Sequence, residues 1–171
     1  MKKKMVSNSI LKNSCQLCDL LTEQIIQAHC TSIKMYLQFC IKYKQIANQI
    51  NSEELKRYFS RIDRYYFDDA GKIKWITLIP LIPPNIEENL KKEYDMLNEN
   101  EIRLCCLILF DVSTKYITEI LPFTRNSVHA VASRIRKKTG MKDIREGMKN
   151  LLLKKIATNN FSNDSFPNNY K

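Results

Sequence analysis

The sequence predicts an all-α fold, and three observations carry that expectation. Apolar residues recur at three- and four-residue spacing through most of the chain, the period of a helix with one buried face. Helix starts are written out as capping residues flanked by apolar pairs, three times within 97–128. Glycine is rare, 3 in 171 residues, with 5 prolines, which favours helices over a turn-rich β architecture. The expected organisation is a helical N-terminal module over 1–95, a helical unit over 96–157 and a disordered tail over 158–171.

Residues 1–8 are basic and polar and are expected to fray. From residue 9 to residue 28, Leu11, Cys15, Cys18, Leu21, Ile25 and Ala28 follow helical spacing. Thr31 or Ser32 then caps a second helix with Ile33, Leu37, Cys40, Ala47 and Ile50 on one face, or the two stretches run on as one long helix. Either way the stripes need cover, from each other, from the next segment or from a second copy of the chain. Ser52 is the expected cap of a helix carrying Leu55, Tyr58, Phe59, Ile62 and Tyr65–Tyr66–Phe67. Those aromatics are read as core; the alternative is an aromatic and basic surface on which bases stack. Asp68 and Asp69 resemble the acidic pair of a receiver domain only superficially, because no alternation of strands and helices surrounds them. They read as a solvated helix end before Gly71.

The run 72–84, KIKWITLIPLIPP, is the one β-branched stretch, and no partner strand accompanies it. It reads as a buried helical or extended connector stopped by Pro83 and Pro84, too short for the roughly 20 apolar residues of a membrane span. Asn85 is the expected cap of a helix through Glu88, Leu90 and Tyr94. Then comes the repeated pattern. Leu97, Asn98 and Ile102 form the first copy, Val112, Ser113 and Ile117 the second, and Phe123, Thr124 and Val128 the third. In each, the middle residue caps and the outer two staple. Glu101, three residues after Asn98, completes a capping box. The helix from Ser113 must stop near Leu121, because Pro122 disfavours helical geometry at the residue before it. The next starts at Thr124, so the two make a helix-turn-helix. In its second helix Val128, Val131, Ala132 and Ile135 face inward, and Asn126, Ala130, Ser133, Arg134 and Lys137 lie on or near the opposite side. The span 124–139 holds Arg125, Arg134, Arg136, Lys137 and Lys138 and no acidic residue. Small polar side chains followed by a basic end suit base contacts first and phosphate contacts after.

These residues resemble a known family. Leu97–Glu101, Ser113, Lys115 and Ile117, Ser127–Val128, Ile135, Lys138 and Gly140 look like the LuxR-type helix-turn-helix output domain of FixJ- and NarL-like regulators. ENEIRLCCLI and SRIRKKTG are nearest to the version at the C-terminal end of large sensor proteins. The resemblance covers roughly the last third of the folded chain. It implies four helices, the third reading DNA and the fourth mediating dimerisation. The expected DNA-contacting residues are Lys115, Thr124, Arg125, Asn126, Ser127, His129, Ala130, Ser133, Arg134 and Lys137. Asp143 begins the last helix, whose apolar face (Ile144, Met148, Leu151, Leu152, with Ile156) is wider than a four-helix unit needs; the first four are the expected dimer contact. Four positions depart from the family. Asp111 stands for a glycine, Thr118 for an alanine, Val131 for a polar reader and Thr139 for a leucine.

A net charge of +10 fits a nucleic-acid partner, although a lysine-rich composition from an AT-rich genome gives the same number. No P-loop and no GxGxxG occurs, and with only His29 and His129 a multi-histidine metal centre is excluded. Six cysteines follow no secretory signal, so the thiols are expected free in a reducing, cytoplasmic compartment. Cys15 and Cys18 form a lone CxxC that also fits the apolar stripe. Cys105 and Cys106 are expected to pack in the first helix of the C-terminal unit. The commitment is a DNA-binding transcription regulator, not an enzyme, without metal or cofactor. Its expected partners are duplex DNA, a second copy and an upstream sensor protein; no membrane is expected. The rivals are an interaction module whose helix-turn-helix has lost its target, favoured by Val131 and Thr139, and, well below, a thiol or metal sensor on Cys15, Cys18, His29 and Cys30.

Overall fold

The computed structural model describes the backbone of residues 2–161 and the side chains of residues 16–154. Among these residues the fold is all helical. Its elements are α1 (Lys2–Ala47), α2 (Glu53–Tyr66), two 3-10 turns (Trp75–Thr77 and Ile79–Leu81), α3 (Ile86–Glu93), α4 (Glu99–Leu109), α5 (Thr114–Ile120), α6 (Arg125–Thr139) and α7 (Ile144–Phe161). The only β feature among them is an isolated bridge between Phe67 and Ile73. The run 72–84 is thus the connector that its unpartnered apolar character implied.

At the centre lies α4. Glu101, Ile102, Leu104, Cys105, Cys106, Leu107 and Leu109 are all buried on it, and Phe110 follows them into the core. A helix apolar on nearly every side needs neighbours all round, and α3, α6 and α7 supply them. Burial pushes the Cys105 thiol up to about 12 and the Cys106 thiol well above its ordinary value, so both act as apolar filler at neutral pH. The capping box is formed: Asn98 accepts from the Glu101 N–H at 3.0 Å, and Glu101 accepts from the Asn98 N–H at 3.0 Å. Lys138, from the end of α6, donates to both oxygens of Glu101 at 2.9 and 2.7 Å and to the Met96 carbonyl at 3.2 Å.

The N-terminal stripes resolve into one long helix. Thr31 and Ser32 do not cap; their hydroxyls bond back to the carbonyls of Gln27 and Ala28, four residues earlier, as helix-interior Ser and Thr do. The expected frayed residues 2–8 belong to α1, and 158–161 of the expected tail belong to α7; residues 162–171 lie outside the described ones. The second stripe is placed as expected, with Ile33, Leu37 and Cys40 buried and Ala47 packed against the core. The first is not. The buried face continues through Ile26 and Thr22, whereas Leu21, Ile25 and Ala28 are exposed, because the core meets α1 along the unbroken face of Ile33 and Leu37, one residue on from the expected stripe; Leu11 and Cys15 lie outside the described side chains. On α2 no residue is fully buried. Phe59, Ile62 and Tyr66 lean on the core, but Leu55, Tyr58 and Tyr65 face solvent, so only half of the aromatic run is core. Tyr43 of α1 stacks on Phe59 with ring centroids 5.3 Å apart and on Phe67 at 6.0 Å.

The buried hydrophobic residues from Ile26 to Leu151 form one cluster, so both expected segments share a core. Here α7 differs from expectation. Ile144, Met148 and Leu151 are buried within the chain and Leu152 packs against the same cluster, because α7 lies between α4 and α1. The extra width of its apolar face is used by α1, and a Lys149–Glu23 ion pair at 2.9 Å marks that contact. The side chain of Ile156 lies outside the described ones.

Glu101 generates the first test. Burial alone would raise its carboxyl, but the Lys138 ammonium and the Asn98 N–H outweigh burial and hold it below its ordinary value of 4.5. A depressed carboxylate stabilises the fold at pH above its unfolded value and loses that contribution as pH falls through the folded one. Lys138→Met leaves the carboxylate buried without its cation and should destabilise the protein by about 1–3 kcal/mol at pH 7. The difference from the parent should shrink toward pH 4, as urea denaturation at both pH values will show.

Candidate nucleic-acid interface

The backbone brings α5 and α6 together through local chemistry that runs back to α4. Its C-terminus closes with the two bonds of a Schellman turn: Val112 N–H to Leu107 carbonyl at 2.9 Å, and Asp111 N–H to Ile108 carbonyl at 3.1 Å. Asp111 sits in the left-handed region at φ 52°, in the place usually filled by glycine. Its carboxylate also pairs with Lys34 of α1 at 3.1 Å. Val112 is at once the apolar closure of that turn and, with Ile117, the buried staple of α5. Ser113 occupies the N-cap backbone conformation, but its side chain makes no capping bond; the staple alone fixes this entry. Asn85 likewise caps α3 without a side-chain bond, since its left-handed φ of 65° turns the chain there.

At Leu121 the backbone becomes extended, as Pro122 requires, and α6 begins after Thr124. Thr124 caps through its hydroxyl, which accepts from the Ser127 N–H at 3.2 Å, and Ser127 returns the bond by accepting from the Thr124 N–H at 2.8 Å. The hydroxyls of Thr124 and Ser127, both among the expected DNA contacts, are therefore committed to a second capping box. Sequence reading missed it because the usual partner at that position is Glu or Gln.

The faces of α6 are divided as the periodicity implied. Val128, Val131 and Ile135 are buried and Ala132 is half-buried. Val131 thus serves the core and is not a lost reader. Thr139 donates to the Ile135 carbonyl at 2.9 Å and accepts from the Met141 N–H at 3.3 Å, closing the helix before Gly140 turns left-handed at φ 72°. Outward stand Arg125, Asn126, His129, Ala130, Arg134 and Lys137, with Ser133 half-buried beside them and Lys115 of α5 exposed nearby in the chain. Among the described residues, Lys34, Lys44, Lys56, Arg103, Lys138 and Lys149 are held in ion pairs; Lys115, Arg125, Arg134 and Lys137 are in none, as are several cations elsewhere, such as Arg57, Arg61 and Lys91. Ala130 and Ser133 give the middle of the face short side chains, which lets a polyanion approach the helix closely.

Contacts that sequence reading did not find hold the turn from behind. Lys72 donates to the carbonyls of Thr118 and Leu121, at 2.7 and 3.1 Å, at the end of α5, where helix carbonyls lack intrahelical partners. The Ile73 N–H donates to the Glu119 carbonyl at 2.7 Å. A lysine 46 residues before Thr118 carries no local signal of this role. His29, considered above as a ligand, is engaged in the core: its Nδ1 bonds the Leu81 carbonyl at 2.7 Å and its ring lies against Phe110. No cluster of three or more metal-ligating side chains occurs among the described residues. No helix among them is long and apolar enough to cross a membrane. Comparison with family models, with curated proteins and with solved structures gives no match.

Removing the amine that holds the α5 terminus, by Lys72→Met, should cost about 1–2 kcal/mol in thermal or urea unfolding. It should also raise amide exchange over 118–125 more than over α4. Equal protection in both regions would mean that the turn holds itself.

Proposed function

We propose that the chain is a sequence-specific DNA-binding regulator of transcription, of the LuxR-like kind, with α6 as the helix that enters the major groove. One observation carries the reading: the outward face of α6 presents Arg125, Arg134 and Lys137, none of them in an ion pair among the described residues, on a helix that holds no acidic residue. An unpaired basic face on the second helix of a helix-turn-helix is what a polyphosphate backbone selects. Asn126, His129 and Ser133 lie among those cations and supply the donors and acceptors that base edges require. Arg125 and Lys115 flank the entry to the groove, and Arg134 and Lys137 reach phosphates toward the far end.

A single reading helix covers few base pairs, too few for discrimination against a genome of competing sites. The reading therefore includes a paired arrangement, two copies on an inverted repeat with half-sites about one helical turn apart. Ile144, Met148 and Leu151 are occupied by the chain's own core, so a pairing surface lies elsewhere.

Arg134→Ala with Lys137→Ala should weaken binding to all duplex sequences and reduce the slope of log affinity against log salt by about 2, one for each lost phosphate contact. Fluorescence anisotropy on labelled genomic fragments at several salt concentrations measures both. A folded variant with parental affinity and slope would remove α6 as the interface, and a parent without duplex affinity at low salt would remove the function.

A further inference from the structure

Helix α1 carries two apolar seams, and the fold uses one. The used seam runs through Ile26, Ile33 and Cys40, with Cys30 and Leu37 between them, all buried. The second is set off by roughly a third of a turn and keeps strict heptad spacing. Cys18, Ile25, Phe39 and Ile46 share one heptad position, with Ser32 between them; Leu21 and Met35 share the other, with Ala28 between them and Lys42 after. Leu21, Ile25, Met35, Phe39 and Ile46 are between 42% and 66% exposed; among the described residues Phe39 alone of them has a ring contact, with Tyr43 and with Tyr66 of α2. Over 46 residues the helix is about 70 Å long.

We infer that this seam is where a second copy of the chain docks, α1 against α1, as a two-stranded coiled coil. Three features favour a second copy. A heptad seam is complementary to itself about a two-fold axis, whereas a groove for an unrelated partner need not repeat at all. The strip is also nearly free of charge on a chain of net charge +10. Gln24, Thr31, Gln38 and Gln45 line its solvent edge and Lys42 alone interrupts it, so two copies meet where their mutual repulsion is least. Finally, the five exposed apolar side chains of the seam alone offer on the order of 500 Å² of surface, the larger part of the roughly 800 Å² that each partner brings to a standard stable interface, and Cys18, Ala28 and the flanking glutamines add to it. The seam lies off the α6 surface, so the inference does not rest on DNA binding and its test contains no DNA.

The test is sedimentation velocity on the full chain over a hundredfold concentration range, with helicity and thermal unfolding followed by circular dichroism. The parent should sediment as a dimer at micromolar concentration. Leu21→Glu with Ile25→Glu, both on exposed positions, should shift the dissociation constant upward by at least a hundredfold while the monomer stays folded. Leu20→Glu with Gln27→Glu adds the same charge to the same helix off the seam and should leave the dimer intact. A parent that is monomeric throughout the range overturns the inference. So does a dimer that survives the seam variant, or one lost equally in both variants.

Discussion

The fold is arranged around the burial of α4, seven of whose eleven residues are buried. Leu104, Cys105, Cys106, Leu107 and Leu109 bury most of its circumference and leave only Glu99, Asn100, Arg103 and Ile108 in reach of solvent, so it is stable only while several helices enclose it. Its one charged buried group, Glu101, would be costly in that setting without a partner. The Asn98 N–H and the Lys138 ammonium answer it, and through Lys138 the end of α6 is tied to the start of α4. The same carboxylate therefore starts one helix and positions the end of another. The orientation of the basic face follows from this arrangement, because Val128, Val131 and Ile135 must point inward and the residues opposite are left outside.

The helix-turn-helix is not held by its own residues alone. The connector after α2 reaches it through Lys72 and Ile73, which take up carbonyls at the end of α5, and Lys44 of α1 reaches Glu119 at 3.5 Å. Lys34 of α1 pairs with Asp111 at the turn before α5. The N-terminal half thus contacts both ends of α5. Any change in how α1 sits, including the docking of a second copy along its open seam, has a physical route to the turn through these contacts.

The basic residues Arg125, Arg134 and Lys137 lie on the exposed face of α6, whereas the exposed apolar side chains lie chiefly on α1 and α2. Among the cysteines, Cys30, Cys40, Cys105 and Cys106 are buried and free, and burial raises each of their thiols. These four therefore behave as small hydrophobic residues.

Much of the fold was legible locally. Capping residues, staples and Pro122 placed α4, α5 and α6 to within a residue or two, since these signals act over one turn of helix and need no distant partner. Asp111 was legible too, as a residue that tolerates the left-handed turn. Which of two possible stripes on α1 would be buried was not. Leu21 and Ile25 are as apolar as Ile26 and Ile33, and only the position of α7 and of the connector packed on α1 chooses between them. The width of the α7 face was visible, but whether a second copy or α1 would cover it depends on a contact more than a hundred residues apart in sequence. The roles of Lys72 and Lys138 were hidden for the same reason, since a lysine's partner is fixed by where the chain returns in space. The sequence by itself determined α4, α5 and α6, their starts and stops, and the polar and apolar faces of α6, because each rests on hydrogen bonds and spacing within a few residues. The tertiary structure decided which apolar faces are core and which cations are free, because both depend on what packs opposite.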